Sequence, residues 1–218
     1  MYLISITMKK ETAPATPPVR VRGRPLSFDR DAALEKAMLL FWRHGYESTS
    51  ISDLTQAMGI TPPSLYSAFG DKERLFLEAV ERYAAGPGNA EAVFAQGQSA
   101  RSTVEQLLKS NAIELTRAGQ PPGCMVIASA VNGSPAAAKV QELLRGRRAE
   151  VEAGIGRWIA RGIDAGELPA DTGAAALARF YYTVIEGMTL QARDGAGRKK
   201  LLEVVALAMG AWPAPARV

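Results

Sequence analysis

Apolar and polar side chains alternate with a helical period along most of the chain. Leu34, Ala37, Met38 and Phe41 stand at i, i+3, i+4 and i+7, the spacing that gathers one apolar face on a helix. Asp29 is placed to cap that helix, Phe28 precedes it as an apolar anchor, and Gly45 can end it. Leu75, Phe76, Ala79, Val80 and Tyr83 predict a later helix opened by Asp71. Gly86-Pro87-Gly88 then breaks the pattern and marks a boundary between two functional halves. Past the break, Val104, Leu107, Leu108 and Ile113 predict a helix stopped near Gly119 and Pro121-Pro122. Cys124 to Val131 is short and apolar on every side, which suits a buried helix. Val140, Leu143, Leu144, Val151, Ile155, Trp158 and Ile159 run through a long helix ending near Gly166. Asp171 is the expected cap of the next, with Leu177, Phe180, Tyr181, Val184 and Met188 as its stripe. Leu201, Val204, Val205 and Ala208 form the last. Strand-like alternation is absent and no internal repeat is visible, so the fold class is all-α.

Between Ser50 and Lys72 the pattern becomes more specific. Ser50-Ile51-Ser52-Asp53 has the form of a capping box, opening a short helix with Ile51, Leu54 and Met58 on its inner face. Gly59 permits a tight turn. Thr61 follows as an N-cap, with Pro62 at the first helical position, where a missing N–H costs nothing. Ile60 and Leu65 hold the staple positions, and Gly70 closes a helix running from Pro62 to Ala68. Two short helices joined by such a turn form a helix-turn-helix. In that unit the second helix enters the major groove with its N-terminal residues at base edges. Thr49 and Ser50 at one helix start, and Thr61 and Ser64 at the next, put hydroxyls where free amides and the helix dipole favour phosphate. Spacing alone leaves a pair of short packing helices as the alternative.

Composition narrows the remaining possibilities. With 218 residues, 47% hydrophobic and 22% charged, the chain can bury a core without disulfides or metal. Its single cysteine, Cys124, excludes an internal disulfide and any zinc-finger or iron–sulfur spacing. Cys124 follows Pro121-Pro122-Gly123 at an expected helix start, so a reactive thiolate is one reading and an inert apolar residue the other. The single histidine, His44, sits at a helix end, where a cation suits the dipole, and has no identifiable catalytic partner. No Gly-rich phosphate loop, metal-ligand cluster or paired nucleophile and base appears, so neither catalysis nor a metal or cofactor is expected. No apolar run approaches the roughly 20 residues of a membrane span. Met1 to Met8 is too short for a secretory signal and lacks a preceding basic region, so a cytoplasmic protein without a membrane partner is expected.

The placement of charge says more than its amount. Lys9, Lys10, Arg20, Arg22 and Arg24 face Glu11 alone in the leading segment, which holds the whole formal excess of +4. With Pro14, Pro17 and Pro18 among them, residues 1–22 read as a disordered basic arm suited to a polyanion, or as a solubilising tail. Residues 25–85 carry six basic and nine acidic side chains. Docking on a duplex therefore requires Arg22, Arg24, Lys72 and Arg43 on one face, with the acids turned away.

Gly23-Arg24-Pro25, Ala37 through Phe41, Gly45-Tyr46 and Thr49-Ser50 open an ordered set that continues with Ile51, Leu54 and Ala57-Met58-Gly59-Ile60. Ser64-Leu65-Tyr66, Phe69, Lys72, Leu75 and Phe76 complete it. By these residues, segment 23–85 resembles the TetR family of bacterial transcriptional regulators. Residues 89–212 resemble it only in the number and order of their helices. The resemblance implies a ligand-responsive regulator, a repressor, that binds a palindromic double-stranded DNA operator as a homodimer. A small-molecule inducer of unknown identity would enter a helical ligand-binding and dimerisation domain over 89–212. Tyr66 and Lys72 resemble the family's phosphate contacts, and Thr49 or Ser50 its phosphate-binding cap. Thr61, Pro62, Ser64 and Ser67 resemble the base-facing positions, and Arg22 and Arg24 an arm for the flanking minor groove. Many relatives carry a large aromatic or a histidine where this chain has Ser67-Ala68, which implies sparse direct base readout.

The same resemblance places the helices near 172–192 and 198–210 in a dimer interface. Phe180, Tyr181, Val184, Met188, Leu201, Val205 and Trp212 are its expected apolar contacts, part of that stripe facing the protomer's own core. Phe94, Cys124, Met125, Trp158, Phe180 and Tyr182 are the candidate pocket lining, with Glu186 as a polar handle and ordinary core packing as the competing role. Two other functions stay open at this point: a helical protein-interaction module without DNA contact, and a small-molecule enzyme.

Overall fold

Within residues 28–129 and 137–214, the part of the chain that the computed structural model describes, all regular secondary structure is helical. The basic arm and Arg22 and Arg24 fall outside these residues. Four helices build the N-terminal half: α1 (Arg30–His44), α2 (Ile51–Met58), α3 (Pro62–Phe69) and α4 (Lys72–Ala84). Six more follow: α5 (Ala90–Ala95), α6 (Ala100–Glu114), α7 (Met125–Ala128), α8 (Ala138–Asp164), α9 (Ala174–Arg193) and α10 (Arg198–Gly210). Among the described residues, no helix is long and apolar enough to cross a membrane.

Local chemistry sets the N-terminal boundaries. Asp29 accepts hydrogen bonds from the amides of Asp31 and Ala32 to open α1, and Asp71 accepts one from Arg74 to open α4. Helix α1 packs across α4 and α2. Ala37, Phe41, Leu54, Leu65, Leu75 and Phe76 meet there, all fully buried. The Phe41 and Phe76 rings meet edge to face at 5.0 Å, a geometry favoured by the ring quadrupoles. Arg30 pairs with Glu78 at 2.7 Å and Arg82 with Glu35 at 2.6 Å, both joining α1 to α4. Such partly exposed pairs contribute at most about 1 kcal/mol each, so they set register while the apolar contact supplies the stability.

In the C-terminal half α8 packs on α9 and α6, and α10 closes the group against α6 and α9. Leu107, Leu108, Ile155, Ile159, Tyr181 and Leu201 lie at its centre. The two cores are not separate. Met125 of α7 and Val140 and Leu144 of α8 complete the N-terminal cluster. The Trp42 indole N–H also donates to the Gly123 carbonyl at 2.8 Å, inside the protein.

Three boundaries differ from the sequence pattern. Helix α5 was not anticipated: its six residues include no fully buried side chain, so no apolar period announces it. Asp171 does not cap α9, which begins at Ala174 after Gly173 without a side-chain cap. The expected helix from Cys124 to Val131 is only the four residues of α7, and Val131 falls outside the described residues.

Candidate nucleic-acid interface and effector cavity

The α2–α3 unit is assembled by three local devices. Ser50 and Asp53 form a reciprocal capping box, each side chain accepting from the other's backbone amide. Gly59 adopts the left-handed conformation, φ +74°, that lets the chain turn back after α2. Thr61 caps α3, its hydroxyl within 2.9 Å of the Ser64 hydroxyl, with proline at the first helical position. Leu65 and Phe69 point inward and are buried, which fixes the outer face of α3. That face presents Thr61, Pro62, Tyr66 and Ser67 to solvent, with Ser64 half-buried. The Tyr66 phenol is 50% exposed. The leading end of α3 is open.

Lys72 is brought beside this unit by the Gly70 turn. It is the first residue of α4, where the helix dipole disfavours a cation. The Tyr46 ring compensates: the ammonium lies 4.5 Å from its centroid and reaches the Glu47 carbonyl at 3.5 Å. Desolvation pulls the Lys72 pKa down, opposed by the nearby Glu47 carboxylate. Desolvation likewise raises the Tyr46 pKa, with Glu73, Glu47 and Asp71 adding to it.

The structure corrects one member of the expected phosphate cap. Thr49 is buried, and its hydroxyl donates inward to the Gly45 carbonyl at 2.7 Å, so it cannot meet a phosphate. Ser50 is exposed, but its hydroxyl donates to Asp53 at 2.6 Å. What α2 offers an anion is therefore its first-turn amides rather than a hydroxyl. The surplus of acids is largely committed elsewhere. Glu35, Glu78 and Glu81 pair with arginines, while Asp29, Asp53 and Asp71 cap helices.

A cavity of about 500 Å³ opens between the end of α4, α5, α6, α8 and α9. Of the expected lining residues it holds Phe94, Cys124 and Tyr182. The others are corrected. Met125 is fully buried in the N-terminal core. Trp158 lines a different recess with Phe94 and Gly97, its ring 5.1 Å from the Arg161 guanidinium. Phe180 is on the outer surface. Glu186 does not line the cavity, though its charge reaches Tyr182. Sequence reading missed Tyr83, Arg147 and Arg148, which do line it. Consecutive arginines inside an apolar helix period were the one available signal for two of them.

Burial raises the pKa of both cavity tyrosines. For Tyr182 desolvation is the main cause, Cys124 and Glu186 add to it, and Arg148 opposes it. For Tyr83 a contact with the Cys124 sulfur adds to it. Tyr83 also meets Trp42 edge to face at 4.8 Å. One chain of contacts thus runs from the cavity through Tyr83 to α1.

Four of the expected dimer contacts are also corrected, while Phe180 does face outward. Tyr181, Met188, Leu201 and Val205 are buried within the protomer, and Val184 is half-buried. The Tyr181 hydroxyl donates to the Ala208 carbonyl at 3.3 Å, and burial pushes its pKa up to about 12. Trp212 packs tilted against the same ring, centroids 5.6 Å apart. The apolar side chains that α9 and α10 turn outward are Phe180, Leu190, Val204 and Leu207, with Leu207 79% exposed.

Comparison with known proteins matches both halves. Residues 33–79 match the family model described as bacterial regulatory proteins, tetR family. Residues 102–206 match the tetracyclin repressor-like C-terminal domain. The chain is 36% identical over 195 residues to the HTH-type transcriptional repressor ComR of Escherichia coli (strain K12), covering 88% of this chain and 92% of that protein. It is 28% identical over 190 residues to the repressor BdcR of the same strain, covering 87% and 91%. A cysteine mutant of the TetR family regulator CifR, solved with 26-base-pair double-strand operator DNA, superposes with a TM-score of 0.83 at 43% identity. That match covers 88% of this chain and all of the other. The open helix-turn-helix, the helical C-terminal half and these likenesses agree: the chain belongs to the TetR family of bacterial transcriptional regulators.

Proposed function

We propose that this protein is a homodimeric repressor that binds a palindromic DNA operator and releases it when a small molecule occupies the cavity beside Tyr83. The observation that carries the reading is the solvent-open first turn of α3, flanked by the exposed Tyr66 phenol and the Lys72 ammonium. Tyr66 and Lys72 hold backbone phosphates and set the depth of α3 in the groove. Thr61, Pro62, Ser64 and Ser67 meet the base edges. Their small size makes DNA shape a large part of specificity. The outward apolar residues of α9 and α10 support the dimer, and the complex of CifR with operator DNA supports the partner. Two half-sites spaced about one helical turn, ~34 Å, set the distance between the paired α3 helices. The ligand acts by preferring a state with a different spacing, and it shifts that equilibrium only by its differential affinity.

The test is a mobility shift on an operator selected from random duplexes by the purified protein. Lys72→Ala should weaken binding to all duplexes alike, about tenfold at moderate salt, and reduce the salt slope by about one. Ser64→Ala should weaken the operator and spare unrelated duplexes. Unchanged binding by both variants would mean that another surface meets the DNA.

A further inference from the structure

The effector reading leaves the chemistry of the occupant open, and the cavity itself narrows it. We infer that it binds an amphipathic monocarboxylate, with the Arg148 guanidinium as the counter-charge; this deepens the effector reading and rests on it for its regulatory meaning.

Arg148 lines the cavity from α8, its Nη1 sealed from solvent with no hydrogen-bond acceptor among the described residues. A guanidinium nitrogen sealed from water without an acceptor costs free energy in the empty protein, so the site gains from an anion that accepts from it. The acids nearby do not fill that role. Glu81 and Glu150 pair with Arg147, and Glu114 with Arg117. One turn further along α8, Glu152 pairs with Arg179 of α9. Glu186 raises the Tyr182 pKa where Arg148 lowers it, and among the described residues Glu186 and Arg148 form no ion pair. Glu91 lies exposed at the rim, in the first turn of α5.

Charge and shape together select the class. A guanidinium matches the two oxygens of a carboxylate in a bidentate pair. Tyr83 and Tyr182, kept neutral by burial, remain hydroxyl donors beside it. Phe94, Val126, Ile127, Val151 and Ile185 supply an apolar wall for the body of the ligand. Two cavity cations lack an ion pair among the described residues, but Arg157 is exposed to solvent and only Arg148 is half-buried, and with Glu81, Glu114 and Glu150 also in the lining this favours a single negative charge over a phosphate or dicarboxylate. A volume of about 500 Å³ suits a short acyl chain or a compact aromatic body.

The deciding experiment is calorimetric titration of the full-length protein with octanoate and with octanamide, its neutral counterpart. Octanoate should bind once per protomer, at least tenfold tighter than octanamide. Arg148→Gln should lose that tenfold preference while binding octanamide as before, and Arg148→Lys should keep part of it. Arg148→Gln should melt no lower than the parent without ligand, because the substitution removes an unpaired cation. Equal affinities for the two probes, an Arg148→Gln variant that binds octanoate normally, absence of binding, or a markedly lower melting temperature would each overturn the inference. An operator mobility shift with octanoate keeps the two readings apart. Arg148-dependent binding that leaves the DNA complex intact sinks the effector role and keeps the site. DNA release without such binding does the reverse.

Discussion

The N-terminal and C-terminal halves use the same element, the helix, and solve opposite problems. In α1 to α4 the functional face is what remains after local rules are satisfied. Leu65 and Phe69 go inward, Thr61 caps, Gly59 turns, and Tyr66 and Ser67 are left outside. In α6 to α10 nearly every helix has apolar residues on more than one side, and function depends on which neighbour each side meets. Tyr181 and Phe180 are adjacent in sequence, yet one is buried and the other is 42% exposed. A surface defined by local geometry is thereby separated from one defined by long-range packing.

The sharpest break in that comparison comes from the outward face of α9 and α10. Leu190 and Leu207 are 61% and 79% exposed in the protomer, so charging them leaves the protomer core intact. Leu190→Glu combined with Leu207→Glu should yield a folded monomer by sedimentation. Operator affinity should fall by about 100-fold or more, as each half-site then binds alone. A variant that stays dimeric would move the interface to another face. Within the N-terminal half, Leu65→Ala should cost about 2–5 kcal/mol in urea denaturation, because Leu65 is fully buried where α3 meets its neighbours. Normal stability there would show that α3 is not anchored as described.

The same contrast explains what could be read from the chain. Asp29, Ser50, Gly59, Thr61 and Asp71 act on amides or dihedrals within a few residues, so their roles were legible from spacing, and the structure places them so. Thr49 was ambiguous for the same reason: a hydroxyl before a helix caps outward or turns back, and here it bonds the carbonyl of Gly45. Tyr181, Met188, Leu201 and Val205 were legible as a stripe shared between the dimer contact and the protomer's own core, but not as the members that face the core, because periodicity reveals a face and not its partner. Met125 shows the limit most clearly. It lies beyond the Gly86-Pro87-Gly88 break, yet completes the core of the preceding half. No local pattern encodes that contact.

The smallest effect expected tests how local the N-terminal devices are. The Ser50 side chain and amide both donate to Asp53, and these bonds hold its carboxyl pKa below the ordinary range, with Ser50 as the main cause. A carboxyl depressed in the folded state binds its proton more weakly there than in the unfolded chain. Its contribution is therefore complete above the unfolded pKa, about 3.9, and is lost as pH falls through the lower folded value. Asp53→Asn removes that dependence. The stability gap between parent and variant should be constant near neutrality and narrow on acidification below about pH 4, as read by urea denaturation at a series of pH values. The gap should also be smaller in a Ser50→Ala background, since the hydroxyl donor is gone while the backbone amide of residue 50 still donates. A gap that instead widened in acid would mean that Asp53 answers to a distant charge, and the capping box would then not be the self-contained device that distinguishes this half from the other.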